Sequence, residues 1–296
     1  MLNRIALVGA DGQLGRELRQ RLGERVVALG HTQIELTDAD SVEAAIAAAD
    51  PEMVINAAAY NLVDRAEEEP NVAFAVNAYG PRNLAIACDA RDIPLLHVST
   101  DFVFSGKDKT DAVETQRSLP YVESDRPVPL CEYGKSKRAG ERYVGSLCRR
   151  QFVVRTCGLY GPTTTPGRGN FVQTMLRLGR ERGEVGVVND QTCCPTATAD
   201  LAGAIEALIA TDAYGLYHAT NTGSTTWYDF AREIFRLAAI DVAVQPISSA
   251  EFGAKAARPC YSVLNTRKLT DVTGFEMPAW QEALERYLGM MDGTPS

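Results

Sequence analysis

The sequence predicts a doubly wound α/β fold built on a parallel sheet, followed by a smaller C-terminal lobe. Three observations predict it. Short, nearly continuous apolar runs alternate with helically periodic segments through the first 160 residues. Uninterrupted apolar strands must be buried on both faces, which is the parallel arrangement, and the β–α alternation makes the sheet doubly wound. The first apolar run leads directly into three glycines spaced three apart, and past residue 160 the alternation gives way to a different texture.

In chain order, strands are predicted at 4–8 (R-I-A-L-V), 25–29 (R-V-V-A-L), 53–57 (M-V-I-N-A), 94–99 (P-L-L-H-V-S) and 152–156 (F-V-V-R-T). Helices fall between them near 13–22, 39–49, 70–90 and 133–148; the third shows apolar residues at helical spacing through F-A-V-N-A-Y-G-P-R-N-L-A-I-A-C. T-T-T-P-G-R-G (163–169) reads as a loop, followed by a helix near 170–182, a strand at 185–190 and a helix at 198–210. G-L-Y-H-A-T (215–220) reads as one more strand. A helix over 225–235 follows, with Thr226 as its N-cap and Asp229 three residues on. The tail D-G-T-P-S is expected to fray. Residues 1–162 then form a dinucleotide-binding domain to which about 197–221 return, and 163–296 form the second lobe.

The 296 residues carry a net charge of −8, so the surface repels phosphate backbones and general nucleic-acid binding is not expected. No apolar run approaches the roughly 18 residues that span a bilayer. I-A-L-V-G-A is too short for a signal-peptide core and suits a buried strand. Seven cysteines without a C-x-x-C pair and three histidines outline no metal site; the thiols read as reduced, hence a cytoplasmic protein.

The chemistry starts at G-A-D-G-Q-L-G. Gly9, Gly12 and Gly15 clear the turn where backbone approaches a pyrophosphate, and the following helix turns its free N–H groups toward the phosphates. The alternative is a glycine-tolerant tight turn. After the second strand, L-G-H-T places Gly30 and His31 where an acid usually holds the adenosine ribose, which leaves room for a 2′-phosphate. Glu35 is either an adenine acceptor or an exposed strand-end charge. H-V-S-T-D-F-V-F puts Ser99 and Thr100 at the carboxyl end of the fourth strand, where doubly wound sheets bind ligands. Tyr133 and Lys137, four apart, share one helix face. An ammonium there is expected to lower the phenol's pKa from about 10 and to reach a nicotinamide ribose. Thr100 would polarise a carbonyl and Tyr133 would deliver the proton.

At this point the sequence resembles the extended short-chain dehydrogenase/reductase superfamily, and within it the dTDP-4-dehydrorhamnose reductase family. The resemblance runs through G-A-D-G-Q-L-G, I-N-A-A-A-Y, V-D-R-A-E-E-E-P, F-A-V-N-A-Y-G-P-R-N-L-A, S-T-D-F-V-F-S-G, Y-G-K-S-K-R-A-G-E, G-N-F-V-Q-T-M-L-R-L, V-V-N-D-Q, R-P-C-Y-S-V-L-N-T and F-E-M-P-A-W. It implies a Rossmann domain with a sugar-nucleotide lobe, and Thr100, Tyr133 and Lys137 as the catalytic set. NADPH or NADH would lie along Gly9, Gly12, Gln13, Leu14, Gly30, Glu35, Leu36, Ala59, Tyr60 and Asn61, with Tyr133 and Lys137 at its nicotinamide end. Thr100, Asp101, Phe102, Gly158, Asn170, Gln191 and Arg258 would face a dTDP-linked 4-keto-6-deoxy sugar, most simply dTDP-4-dehydro-L-rhamnose on its way to dTDP-L-rhamnose.

Arg258 is either a clasp for a diphosphate or a surface ion pair, and Asn170 and Gln191 are either substrate contacts or loop braces. Phe102 stands where the family usually has Tyr, and Gly158 where several relatives carry Trp. Some members bind Mg²⁺ between subunits through glutamates; Glu17 matches one, the other falls near Ala199 and Asp200, and no metal is expected. Phe102 after Asp101 leaves a dehydratase without its second carboxylate. A nucleotide-sugar epimerase and a non-catalytic, nucleotide-binding regulatory subunit remain as alternatives, and a homodimer is left open.

Overall fold

The computed structural model describes residues 2–110, 113–162 and 169–292. The loop expected at 163–169 lies outside these except for Gly169, as does the tail beyond Asp292. In chain order the strands that matter are β1 (Ile5–Val8), β2 (Val26–Leu29), β3 (Met53–Asn56), β4 (Leu95–Thr100), β5 (Gln151–Thr156), β6 (Glu184–Val188), β7 (Gly215–His218) and β8 (Ala243–Ile247). The helices are α1 (Gln13–Leu22), α2 (Ala39–Ala49), α3 (Pro70–Phe74), α4 (Gly80–Ala90), α5 (Glu132–Leu147), α6 (Phe171–Glu181), α7 (Thr198–Ile209), α8 (Trp227–Leu237) and α9 (Trp280–Asp292).

The central sheet runs β2-β1-β3-β4-β5-β7, with every described pairing parallel. β1 and β3 are buried throughout and the inner strands β4 and β5 nearly so, because helices cover both faces. α1 and α7 bring Leu14, Leu18, Leu22, Leu201, Ile205 and Leu208 onto one face. On the other face α2, α4 and α5 contribute Val42, Ile46, Leu84, Cys88 and Val144. Each such aliphatic side chain gives about 1.5–3 kcal/mol on burial. The chain leaves β1 for β2 on one side and returns to β3 on the other. The strand order therefore reverses between β1 and β3, and a crevice opens beyond their carboxyl ends. A separate core of Tyr160, Val172, Leu176, Phe230, Ile234 and Leu284 holds α6, α8 and α9 together in the C-terminal half.

The helix expected over 70–90 runs without a break, but its winding changes midway. Between α3 and α4 the chain makes a π-helical turn, Ala75–Tyr79. One extra residue in the turn re-aims Asn77, whose amide accepts from Tyr60 N–H at 2.9 Å and donates to Tyr60 C=O at 2.9 Å and to Ser136 Oγ at 3.0 Å. β8 was not anticipated either. Pro246 argues against a strand, but among the described residues β8 pairs with β6 alone, in a two-stranded ribbon where a missing N–H costs little.

Candidate active site

The crevice between β1 and β3 is shaped by backbone. Gly9 has φ +79°, and a Cβ there would lie 2.6 Å from Ala58 N. A Cβ on Gly15 would lie 2.2 Å from Gly9 O, so the turn and the first turn of α1 press together. Gly12 is the N-cap of α1 and offers no side-chain cap, so the helix starts at Gln13 and Leu14 with its amide dipoles uncompensated. Ala59, Tyr60 and Asn61 come shortly after the carboxyl end of β3. Gly30 follows β2, and the position of a Cβ there lies 2.8 Å from Asp11 Oδ2. The Glu35 carboxylate accepts from Thr37 N–H at 2.9 Å and Thr37 Oγ1–H at 2.8 Å, and these bonds lower its pKa. Leu36 is buried, and its carbonyl accepts from Asn83. A cradle that added methyl groups would fill, at the head of a helix, fits a dinucleotide pyrophosphate. Gly15→Ala should push α1 away from the turn and weaken NADPH binding at least tenfold in a fluorescence titration; an unchanged Kd would contradict this fit.

Thr100 is the last residue of β4, and its hydroxyl donates to Asp101 Oδ1 at 3.1 Å and accepts from Phe102 N–H at 3.2 Å. Tyr133 stands in the first turn of α5, capped by Cys131 Sγ, and its phenol is hydrogen-bonded to Thr100. Its ring meets Phe102 edge-on at 5.5 Å between centroids. Gly134 makes this possible, because a Cβ there would lie 2.3 Å from Phe102 O. Burial raises the Tyr133 pKa, the Thr100 bond opposes this, and the Asp101 carboxylate adds to the rise. The expected lowering by Lys137 is not what the geometry gives. Lys137 Nζ donates to Val98 C=O at 2.7 Å instead, and the phenol stays firmly protonated at neutral pH.

Lys137 is 2 % exposed, and burial brings its pKa down to about 8 against the pull of Glu141. Glu141 sits one turn further along α5. It takes a two-pronged bond from Arg155, Nε to Oε1 at 2.7 Å and Nη2 to Oε2 at 2.8 Å, and accepts from Ser99 Oγ–H at 2.7 Å. Periodicity offered a signal here, since Tyr133, Lys137 and Glu141 are successive i, i+4 positions. Nothing local announced that Arg155 of β5 would be the partner.

Beyond Thr100 lies a cavity of about 380 Å³, lined by Asp101, Phe102, Gln191 and Arg258 among others. Burial raises the Asp101 pKa, while hydrogen bonds with Cys157, Ser262 and Thr100 oppose the rise. Gln191 faces the cavity and donates from Nε2 to Ser249 Oγ at 2.8 Å. Arg258 also lines it, with its fork on Asp64 at 3.1 and 2.9 Å. Asn170 caps α6 through Gln173 N–H, and its Nδ2 donates to Gln13 Oε1 at 3.1 Å and Gly161 C=O at 2.9 Å. It ties the glycine turn to the C-terminal half. Gly158 follows β5. Trp227, Phe171 and Phe252 line the cavity as well and were not singled out from sequence, because aromatics at helical spacing read equally well as core. Asp200, near Glu17, is engaged by Asn221 and Arg286.

The chain matches the RmlD substrate binding domain family over residues 3–292. It is 43 % identical to a dTDP-4-dehydrorhamnose reductase of Streptomyces griseus, covering 95 % of this chain and 91 % of that one. It is 41 % identical to a probable dTDP-4,6-dihydroxy-2-methyloxan-3-one 4-ketoreductase of Streptomyces antibioticus, covering 95 % and 93 %. The crystal structure of a dTDP-4-dehydrorhamnose reductase from Bacillus anthracis in complex with NADP superposes with a TM-score of 0.89 at 40 % identity, covering 98 % of this chain and all of that one. Matched along nearly its whole length by the family model and by relatives at these identities, the chain belongs to the dTDP-4-dehydrorhamnose reductase family.

Proposed function

We propose that the protein reduces the 4-keto group of a dTDP-6-deoxy-hexulose, dTDP-4-dehydro-L-rhamnose, to the alcohol of dTDP-L-rhamnose, with NADPH or NADH. The observation that carries this reading is the Thr100–Tyr133 hydroxyl pair. Asp101 and Phe102, directly after Thr100, line the cavity of about 380 Å³, and a glycine cradle suited to a dinucleotide lies at the head of α1. When bound along Gly9, Gly12, Gln13, Leu14 and Ala59–Asn61, the reduced nicotinamide supplies the hydride. The Thr100 hydroxyl orients the carbonyl oxygen, and the Tyr133 phenol gives that oxygen its proton. A phenol kept protonated is the form a proton donor needs. Lys137 carries an ammonium beside the site, Asp101 and Gln191 face the sugar, and Arg258 trades Asp64 for the diphosphate.

The division of labour follows the chain: residues 1–162 with 197–221 hold the cofactor, and 163–296 the sugar nucleotide. Seven unpaired cysteines, six of them buried, support a reducing cytoplasmic setting, and a homodimer accords with the reading. Among the described residues no helix is long and apolar enough to cross a membrane.

The decisive assay follows NAD(P)H absorbance with dTDP-4-dehydro-L-rhamnose, its dTDP-4-keto-6-deoxy-D-glucose epimer and UDP-linked counterparts. Turnover of the first above the rest is expected. No turnover of any, together with stable capture of a partner enzyme, would replace this reading with a regulatory one. A pH profile adds a second check. The Lys137 ammonium is present below about 8 and lost above it, so kcat/KM for the cofactor should fall as pH rises through about 8. A profile flat to pH 10 would exclude a role for that charge.

A further inference from the structure

Gly158 has φ +51°, and the Cβ that another residue would carry there lies 3.0 Å from Cη2 and 3.7 Å from Cζ2 of Trp227. The space beside the end of β5 therefore belongs to the outer edge of an indole that arrives from the start of α8. The ring is held by what precedes and flanks it. Thr225–Thr226 pair antiparallel with Thr192–Cys193, Thr226 caps the helix through Asp229 N–H at 3.0 Å, and Phe171 packs on the indole at 4.6 Å between centroids. Trp227 is half-buried, and its remaining surface forms cavity wall.

Its position in the cavity follows from strand register. Thr156 of β5 lies opposite Thr100 of β4, and Gly158 is two residues further on. The indole edge thus stands near the level of the reacting hydroxyls. A hexulose that presents its 4-keto group to Thr100 and Tyr133 has to lay its ring across this edge. The C–H face and 6-methyl group of a deoxyhexose are apolar, and an aromatic face is the surface that covers them best.

We propose that Trp227 is the platform for the deoxyhexose ring, and that glycine at 158 is required to leave its outer edge uncovered. This deepens the reductase reading and rests on it for the identity of the sugar. The test uses the full-length protein and two non-reacting ligands, dTDP-L-rhamnose and dTDP, so binding is read apart from turnover. Trp227→Ala should weaken dTDP-L-rhamnose roughly tenfold to a hundredfold, raise KM by a similar factor and leave dTDP affinity within about twofold. The chain has two tryptophans, and Trp280 is packed into the C-terminal core at 7 % exposure. Quenching of indole fluorescence by dTDP-L-rhamnose should therefore be present in the wild type and absent in Trp227→Phe. That variant also serves if the alanine variant does not fold. Gly158→Ala, which drives a methyl into the indole, should reproduce the rise in KM with kcat nearly unchanged. Equal weakening of dTDP and dTDP-L-rhamnose would move the ring under the base, and unaltered dTDP-L-rhamnose binding would remove its role; either overturns the proposal. Failure of the wild type to turn over any 4-keto sugar, with the fluorescence result intact, would count against the reductase reading alone.

Discussion

Replacing Tyr133 with Phe is expected to lower kcat for NAD(P)H-dependent reduction by about 10²–10⁴-fold, the range that general acid catalysis commands. The substitution removes one oxygen and leaves the ring. Its edge-on contact with Phe102 at 5.5 Å therefore survives, and the first turn of α5 keeps its seat against Phe102. KM for the sugar nucleotide should change little, because the phenol is being asked to act on charge that develops only during reduction. Thermal unfolding should be nearly unaltered, which separates a chemical loss from a structural one. Thr100→Val tests the partner hydroxyl: it loses both the bond to Tyr133 and the orienting group, and kcat should fall by at least tenfold. Turnover by Tyr133→Phe within a factor of a few of the wild type would remove the phenol from the mechanism and leave proton delivery to water or to Asp101, whose carboxyl is held toward its protonated form.

The way these residues were legible in the sequence explains where the reading stopped. Glycines at 9, 12 and 15 could be interpreted because one short segment contains the strand, the turn and the helix start. The Tyr133–Lys137 pair could be interpreted because one helix turn contains both. The relation between them, however, is set by partners elsewhere. Lys137 bonds to Val98 of β4 and Tyr133 to Thr100, so the phenol is governed by burial and not by the neighbouring ammonium. Asn77 has the same character: only the folded chain shows that a π turn aims it at Tyr60 and Ser136. Arg258 combines both roles its sequence context allows, with its fork on Asp64 and its flank on the cavity. The positions of the apolar strands along the chain were readable from their runs, whereas their order in the sheet was not, and A-V-Q-P-I with its internal proline carries no strand signal.

The largest stability effect is expected at Glu141. Arg155 is 1 % exposed and Glu141 4 %, and their two-pronged bond lies behind β4 with Ser99 and Arg138 as further partners. Glu141→Leu strands a guanidinium in the core, which costs about 3–5 kcal/mol. For a chain of this size Tm should fall by roughly 5–10 °C. Glu141→Leu with Arg155→Met removes both charges and should recover most of that loss, because desolvating a buried pair offsets much of its attraction. Acid should act on the same region in the wild type. The Glu141 pKa is lowered in the fold, so its contribution is present above the unfolded carboxylate value and is lost as pH falls through the folded one. His218, beside Arg155, is brought down to about 3 by burial and by that guanidinium. It favours the fold above about 6.5 and loses this as pH drops toward about 3, at up to about 1.4 kcal/mol per pH unit. Unfolding measured between pH 7 and pH 4 should therefore show falling stability, and a flat profile would contradict a buried neutral His218. Activity separates the structural role from the chemical one. Glu141 is the charge that holds the Lys137 pKa up. The double variant, though restored in stability, should therefore show its alkaline loss of kcat/KM at a lower pH than the wild type. An alkaline limb that stays in place after the carboxylate is gone would mean that Glu141 braces the sheet and has no electrical say in the site.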